Sequence, residues 1–256
     1  KAAKGKTQQI REISKAIVHW FRGFRTLHGL WDYSYEKYTT SLLQNEKSHE
    51  LLIKFIQLAD SSIEDLVARD LPERESPSPN APATDRKPKN SSERKMWLAS
   101  SHSKFKSGVK GGSVDLSFQE EESEGTKKLY HIAGPLIDCI AHGYVVCIDE
   151  LDAKLHPILT KVIVSWFNSI NGNPKNAQLI FATHDTNLLH YGNLRRDQIW
   201  FVEKNQYAAT DLYSLAEFKM SDGTKVRNDA NLEKNYIQGR YGAIPYLGDI
   251  NKIVGG

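Results

Sequence analysis

The sequence predicts an α/β fold, with parallel strands joined by crossover helices, a terminal hairpin at the sheet edge and a helical segment in front. Three observations carry this reading. Tyr144 to Ile148 is a continuous apolar run, the pattern of a strand buried on both faces. Gln178 to Ala182 is a second such run, and Pro157 to Ile170 between them reads as a helix with Pro157 in its favoured first turn. Strand, helix and strand at that spacing imply a right-handed parallel crossover.

The other elements follow in chain order. Ile10, Ile13, Ile17, Trp20 or Phe21, and Phe24 recur at helical spacing and predict a helix over 8–24. A broad apolar face from Leu42 to Leu58 predicts a second helix over 42–59, polar in its middle. Five of the nine prolines fall between Pro72 and Arg94, among Ser, Asn and charged residues, which predicts a flexible insertion. Met96 to Ala99 and Val114 to Phe118 read as short strands, and 126–140 as a helix that Gly134-Pro135 should bend. Ile199 to Val202 and Leu212 to Leu215 suit the edge hairpin. The domain scheme is a helical arm segment over 1–71, the Pro-rich insertion over 72–95 and an α/β lobe over 96–256.

Composition excludes several classes. The 256 residues allow one large domain or two small ones. A net charge of +3 is too small to argue for nucleic-acid binding by itself. No run approaches the length of a transmembrane helix, and Lys1 to Arg11 is too polar for a secretory signal. Cys139 and Cys147 sit in apolar stretches, as buried thiols of a reducing compartment, so the expected setting is the cytoplasm with no membrane partner. Trp20, Trp31, Trp166 and Trp200 are expected in the core.

Three polar groups stand out by position. Asp149-Glu150 ends the first buried strand, where open α/β sheets bind ligands. One carboxylate there can hold a divalent cation while its neighbour orients or deprotonates a water. His184 ends the second strand and could bond a phosphate oxygen or an attacking water. Ser123-Glu124-Gly125-Thr126 opens the helix at 126–140 and offers backbone N–H groups and hydroxyls to an anion. Each group taken alone is as well explained by a helix cap or a loop acid. The acidic run around Ser123 would repel a free phosphate unless a metal or a lysine offsets it.

All three in this order are far less probable by chance than any one of them. Together they resemble the head of an ABC-type ATPase. Ser123-Glu124-Gly125-Thr126 resembles its signature motif, Val145 to Glu150 its Walker B strand with the following glutamate, Asp152 its D-loop, and Thr183-His184-Asp185 its switch histidine. Leu155-His156-Pro157 and the closing Gln238 to Pro245 are similar to the RecF/SMC-like branch, nearest to bacterial ATPases of abortive-infection and restriction loci. The resemblance implies ATP and Mg²⁺ as cofactors and two heads that sandwich the nucleotide. It implies that Asp149 positions Mg²⁺, that Glu150 polarises water and that His184 contacts the γ-phosphate. It further implies that Ser123, Gly125 and Thr126 contact nucleotide on the opposite protomer, with Asp152 coupling the two sites. Its partners would be a second head and a separate effector such as a nuclease; DNA is a further candidate. A DNA-repair or chromosome-maintenance head and a non-catalytic dimerisation scaffold are the competing readings.

Two departures stand against the pattern. Glu124 replaces a glycine of the signature, so the backbone approaches phosphate less freely. No complete Walker A loop is present: Gly5-Lys6-Thr7 matches only its last three letters and reads as the start of the arm helix. The expectation is therefore of a C-terminal lobe, with the phosphate-binding lysine on an N-terminal lobe outside this chain.

Overall fold

The computed structural model describes residues 2–29, 35–70, 96–190, 194–220, 223–227 and 230–244. The Pro-rich insertion and Trp31 lie outside them. The described residues form two compact units, Lys1–Thr160 with Trp166–Ala182, and Lys161–Ser165 with Thr183–Gly256.

The first unit opens with α1 (Ala2–Arg22), which passes through Gly23 into β1 (Phe24–His28). β1 was not anticipated. It pairs in parallel with β5 (Val145–Asp149), and β5 pairs in parallel with β6 (Gln178–Phe181), giving the order β1-β5-β6. The expected helix over 8–24 therefore stops at Arg22, and Phe24 belongs to a strand. Phe24, Thr26 and His28 alternate with Arg25 and Leu27, and only Leu27 of the five is fully buried. The run is too short and polar to stand out by periodicity. Residues 1–71, expected as helical, thus contribute a strand to the parallel sheet.

The expected helix over 42–59 is two helices, α2 (Glu36–Leu42) and α3 (Glu46–Ile56). Asn45 breaks it, because its side chain accepts from the Ser48 amide at 3.2 Å and caps α3. Three antiparallel strands follow, β2 (Ile63–Asp70), β3 (Met96–Lys106) and β4 (Val109–Ser117), in the order β2-β3-β4. β2 was not anticipated, β3 is longer than expected, and Phe118 opens the short helix α4 (Phe118–Glu121) instead of closing β4.

The long helix α5 (Glu124–His142) is the central beam of this unit, with α2 and α3 packed on it. Leu129, Ile132, Ala133 and Leu136 are fully buried, as are Leu52 and Ile56 of α3. Burial of each large aliphatic side chain contributes about 1.5–3 kcal/mol. The bend expected at Gly134-Pro135 does not interrupt the helix. Pro135 has no N–H to give the His131 carbonyl four residues back. Buried Thr39 of α2 donates its hydroxyl to that carbonyl at 3.5 Å and accepts the Gly134 amide at 3.2 Å. Gly134 permits this approach, since a Cβ there would lie 2.4 Å from Thr39 Oγ1.

β5 is buried as expected, with Cys147 half-buried beside buried Val145, Val146 and Ile148. β6 is not. Ile180 is 54% exposed, and β6 pairs on one side only among the described residues. The helix between them is α6 (Pro157–Asn168), capped by His156, whose Nδ1 accepts from the Ile158 amide at 3.2 Å.

In the second unit, β7 (Trp200–Lys204) and β8 (Thr210–Ser214) pair as a hairpin. They form their own two-stranded sheet and are not the edge of the parallel one. Ile199, Phe201, Leu215, Val226, Leu232 and Tyr241 make this unit's core, with Leu232 on α7 (Leu232–Ile237). Tyr241 is fully buried, which accounts for part of the closing motif as packing. Trp20 and Trp200, expected in the core, are 49% and 54% exposed, whereas Trp166 packs on Phe55 with ring centroids 5.3 Å apart. Among the described residues no helix is long and apolar enough to cross a membrane.

Thr39→Val should lower the unfolding free energy by about 1–3 kcal/mol, because it strands buried backbone groups around Pro135. Urea denaturation of the variant checks this; an unchanged midpoint would show that Thr39 does not serve them.

Candidate active site

Asp149 is the last residue of β5, the middle strand of the parallel sheet, and its side chain is exposed. Glu150 follows with a left-handed backbone, φ 52°, which turns the chain sharply off the strand. The turn closes with Ala153 N donating to the Glu150 carbonyl at 3.1 Å and Leu155 N to the Asp152 carbonyl at 3.0 Å. Leu151 is fully buried and donates its amide to the Ala182 carbonyl beyond β6 at 3.1 Å. A buried leucine thus pins the acidic turn, and Glu150 and Asp152 stand half-buried on either side of it.

Gly29, just after β1, locks the neighbouring rim. Its amide donates to the Asp149 carbonyl at 2.7 Å, and its carbonyl accepts from the buried Lys128 ammonium on α5. A Cβ on Gly29 would lie 2.0 Å from the Glu150 carbonyl oxygen, so no other residue fits without moving a strand end. Sequence reasoning missed Gly29, Lys128 and the neighbouring His28, because it missed β1.

The signature-like turn is built as a capped helix start. Ser123 caps α5: its Oγ accepts from the Thr126 amide at 3.1 Å and lies 2.8 Å from Thr126 Oγ1. Thr126 is buried and its hydroxyl is engaged with Ser123, whereas Ser123 is exposed and Gly125 is half-buried. Glu122 is buried and holds the turn onto β3, accepting from Ser100 Oγ and lying 2.8 Å from His102 Nε2. Glu124, the departure from the signature, meets Lys154 at 2.8 Å and Lys127 at 3.3 Å. The bond to Lys154, then that to Lys127, holds its carboxyl below the usual glutamate value. Glu124 thus has two lysine partners, and Lys154 ties this turn to the loop that carries Asp152.

His184 belongs to the second unit, where it is exposed. Beside it, Asp185 caps the following helical turn by accepting from the Asn187 amide at 3.0 Å. The local geometry there is that of the cap. In the same unit Arg195 pairs with Asp197 at 2.8 Å and Arg196 donates to the Val226 carbonyl, so local contacts occupy both.

Among the described residues no three of His, Cys, Asp and Glu gather into a metal cage. The donor set instead suits a cation that arrives with phosphates and takes one or two oxygens from the protein. The exposed carboxylate of Asp149 at a fixed strand end fits that role.

The family model described as "AAA domain, putative AbiEii toxin, Type IV TA system" matches residues 4–190. The chain belongs to this family and carries an AAA-type ATPase domain. The match begins beside Gly5-Lys6-Thr7 and contains Ser123, Asp149, Glu150, Asp152 and His184. No curated protein matches the chain.

His131, one turn beyond Lys128 on α5, gives the site region a pH dependence. Burial first, then the Lys128 charge, push its imidazole from an ordinary 6.5 down to about 4, and Glu36 lies 4.0 Å away. Between those values the unfolded chain binds more protons than the folded one, so stability rises with pH. The contribution is complete above the ordinary value and is lost as pH falls toward the depressed one. From pH 7 to pH 5 this residue should remove roughly 2 kcal/mol of stability. His131→Gln should flatten that part of the profile in urea melts; identical profiles would exclude His131 as its source.

Proposed function

We propose that this chain carries the ATP-hydrolysing rim of an ABC-type head of the RecF/SMC-like kind. In this reading ATP-driven pairing of two heads controls a separate effector in an antiviral, abortive-infection role. The observation that carries the catalytic part is Asp149-Glu150 at the carboxyl end of the central parallel strand, in a chain of the AAA-domain family. Mg-ATP supplies the phosphoryl group and the cation. Phosphoryl transfer then needs chiefly positioning and charge neutralisation from the protein.

Asp149 offers a carboxylate oxygen to the cation from a strand end that Gly29 and Lys128 hold. Glu150, the next acid, orients and polarises the attacking water. Ser123 and the backbone at Gly125 and Thr126 present hydroxyl and N–H groups at the start of a 19-residue helix, suited to a nucleotide held by a partner head. Glu124 does not spoil that anion site, since Lys154 and Lys127 neutralise it. Asp152 and His184 keep the coupling and γ-phosphate roles that their motifs suggest.

For Gly5-Lys6-Thr7 the reading differs from the start of an arm. The triplet lies in the first turns of α1, which runs into β1 of the parallel sheet. The order of triplet, helix and strand resembles the closing part of a phosphate-binding unit, which supports this reading over the start of an arm. Lys6 is therefore the phosphate lysine in this reading.

In the complete protein, Glu150→Gln should abolish ATP turnover while ATP binding survives, and Lys6→Ala should abolish binding. Phosphate release and calorimetric titration with Mg-ATP check the pair. Unchanged hydrolysis in Glu150→Gln would remove Glu150 from the mechanism, and no hydrolysis by the unaltered protein would favour a dimerisation scaffold.

A further inference from the structure

The end of β1 carries a side chain that no motif assigned. His28 is the last residue of β1 and stands in register with Asp149. Both side chains are exposed, at 48% and 61%, and His28 Nε2 lies 3.9 Å from Asp149 Oδ2. That separation is too long for a hydrogen bond, yet one small oxygen placed between the two atoms can reach both. Both groups are solvent-exposed, so the fold does not depend on their contact.

The backbone beneath the pair is held far more firmly than the pair itself. The Gly29 amide, directly after His28, bonds the Asp149 carbonyl at 2.7 Å. Lys128 bonds the Gly29 carbonyl from α5, and Gly29 leaves no room for a side chain against Glu150. Imidazole and carboxylate are thus presented together on a fixed rim, at the carboxyl end of two adjacent parallel strands. A phosphate-borne cation keeps several of its waters, and those waters need acceptors.

We propose that His28 is the second side chain of the cation site: Nε2 accepts a hydrogen bond from a cation-bound water while Asp149 supplies an oxygen to the cation. This rests on the nucleotide reading above and adds a residue to that site. His28 is a positioning residue, since it acts through the water and touches neither the phosphoryl group nor the attacking oxygen.

The test is electron paramagnetic resonance titration of Mn²⁺ into the complete protein with a non-hydrolysable ATP analogue. It reads retention of the ion and not turnover. Loss of an outer-shell partner typically weakens metal binding 10–100-fold, so His28→Ala should weaken Mn²⁺ retention at least about tenfold. His28→Gln returns an acceptor to the same place and should stay within about threefold of the unaltered protein, a rescue that a purely structural role would not produce. Thermal midpoints of both variants should match the unaltered protein, because the side chain is exposed. Asp149→Ala separates the two claims. Loss of Mn²⁺ in Asp149→Ala with full retention in His28→Ala overturns the His28 assignment alone. Full retention in both variants, or no retention by the unaltered protein, overturns the nucleotide reading as well.

Discussion

One hydrogen bond organises the rim that carries the acidic pair, from the Gly29 amide to the Asp149 carbonyl at 2.7 Å. It joins the ends of two parallel strands where their ladder would otherwise fray. Lys128 closes the same peptide from the other side, taking the Gly29 carbonyl onto α5. The two bonds make the strand ends and the long helix one assembly. Displacing Gly29 would therefore disturb the acidic turn and the helix that Ser123 caps, although neither lies near it in sequence.

The helix α5 transmits this constraint toward its own start. Buried contacts hold it strongly and surface ion pairs only trim it. Glu122, bonded to Ser100 and His102, is buried, so breaking that cluster would leave polar groups unsatisfied at about 1–3 kcal/mol each. The Glu124–Lys154 pair is solvent-exposed on both sides, and such pairs contribute little to stability. Its effect is geometric and electrostatic: it joins the turn at Ser123 to the loop carrying Asp152, and it offsets a negative charge at the start of α5. Glu124 is thus matched by Lys154 within the same unit.

The parallel strand β5, the helices α5 and α6 and the acidic pair were legible in the sequence because each depends on a local pattern. Val145 to Ile148 is apolar without interruption, and Ser123 is a recognisable cap. β1 was not legible. Its five residues include Arg25, Thr26 and His28, and they become a strand only because β5 supplies the partner edge. With β1 went Gly29, His28 and the meaning of Lys128, all of which are long-range facts. The continuity of α5 through Pro135 was hidden for the same reason, since Thr39, almost a hundred positions upstream, repairs it. The exposure of Ile180 shows the converse: an apolar run describes what a strand can bury, not what covers it.

The central claim is that the carboxyl end of β5 holds a nucleotide-borne cation. A crystal structure of the complete protein with Mg²⁺ and a non-hydrolysable ATP analogue tests it most directly. The account predicts the cation against the Asp149 carboxylate, with Glu150 facing the terminal phosphate. A nucleotide bound with its cation away from Asp149 would contradict it.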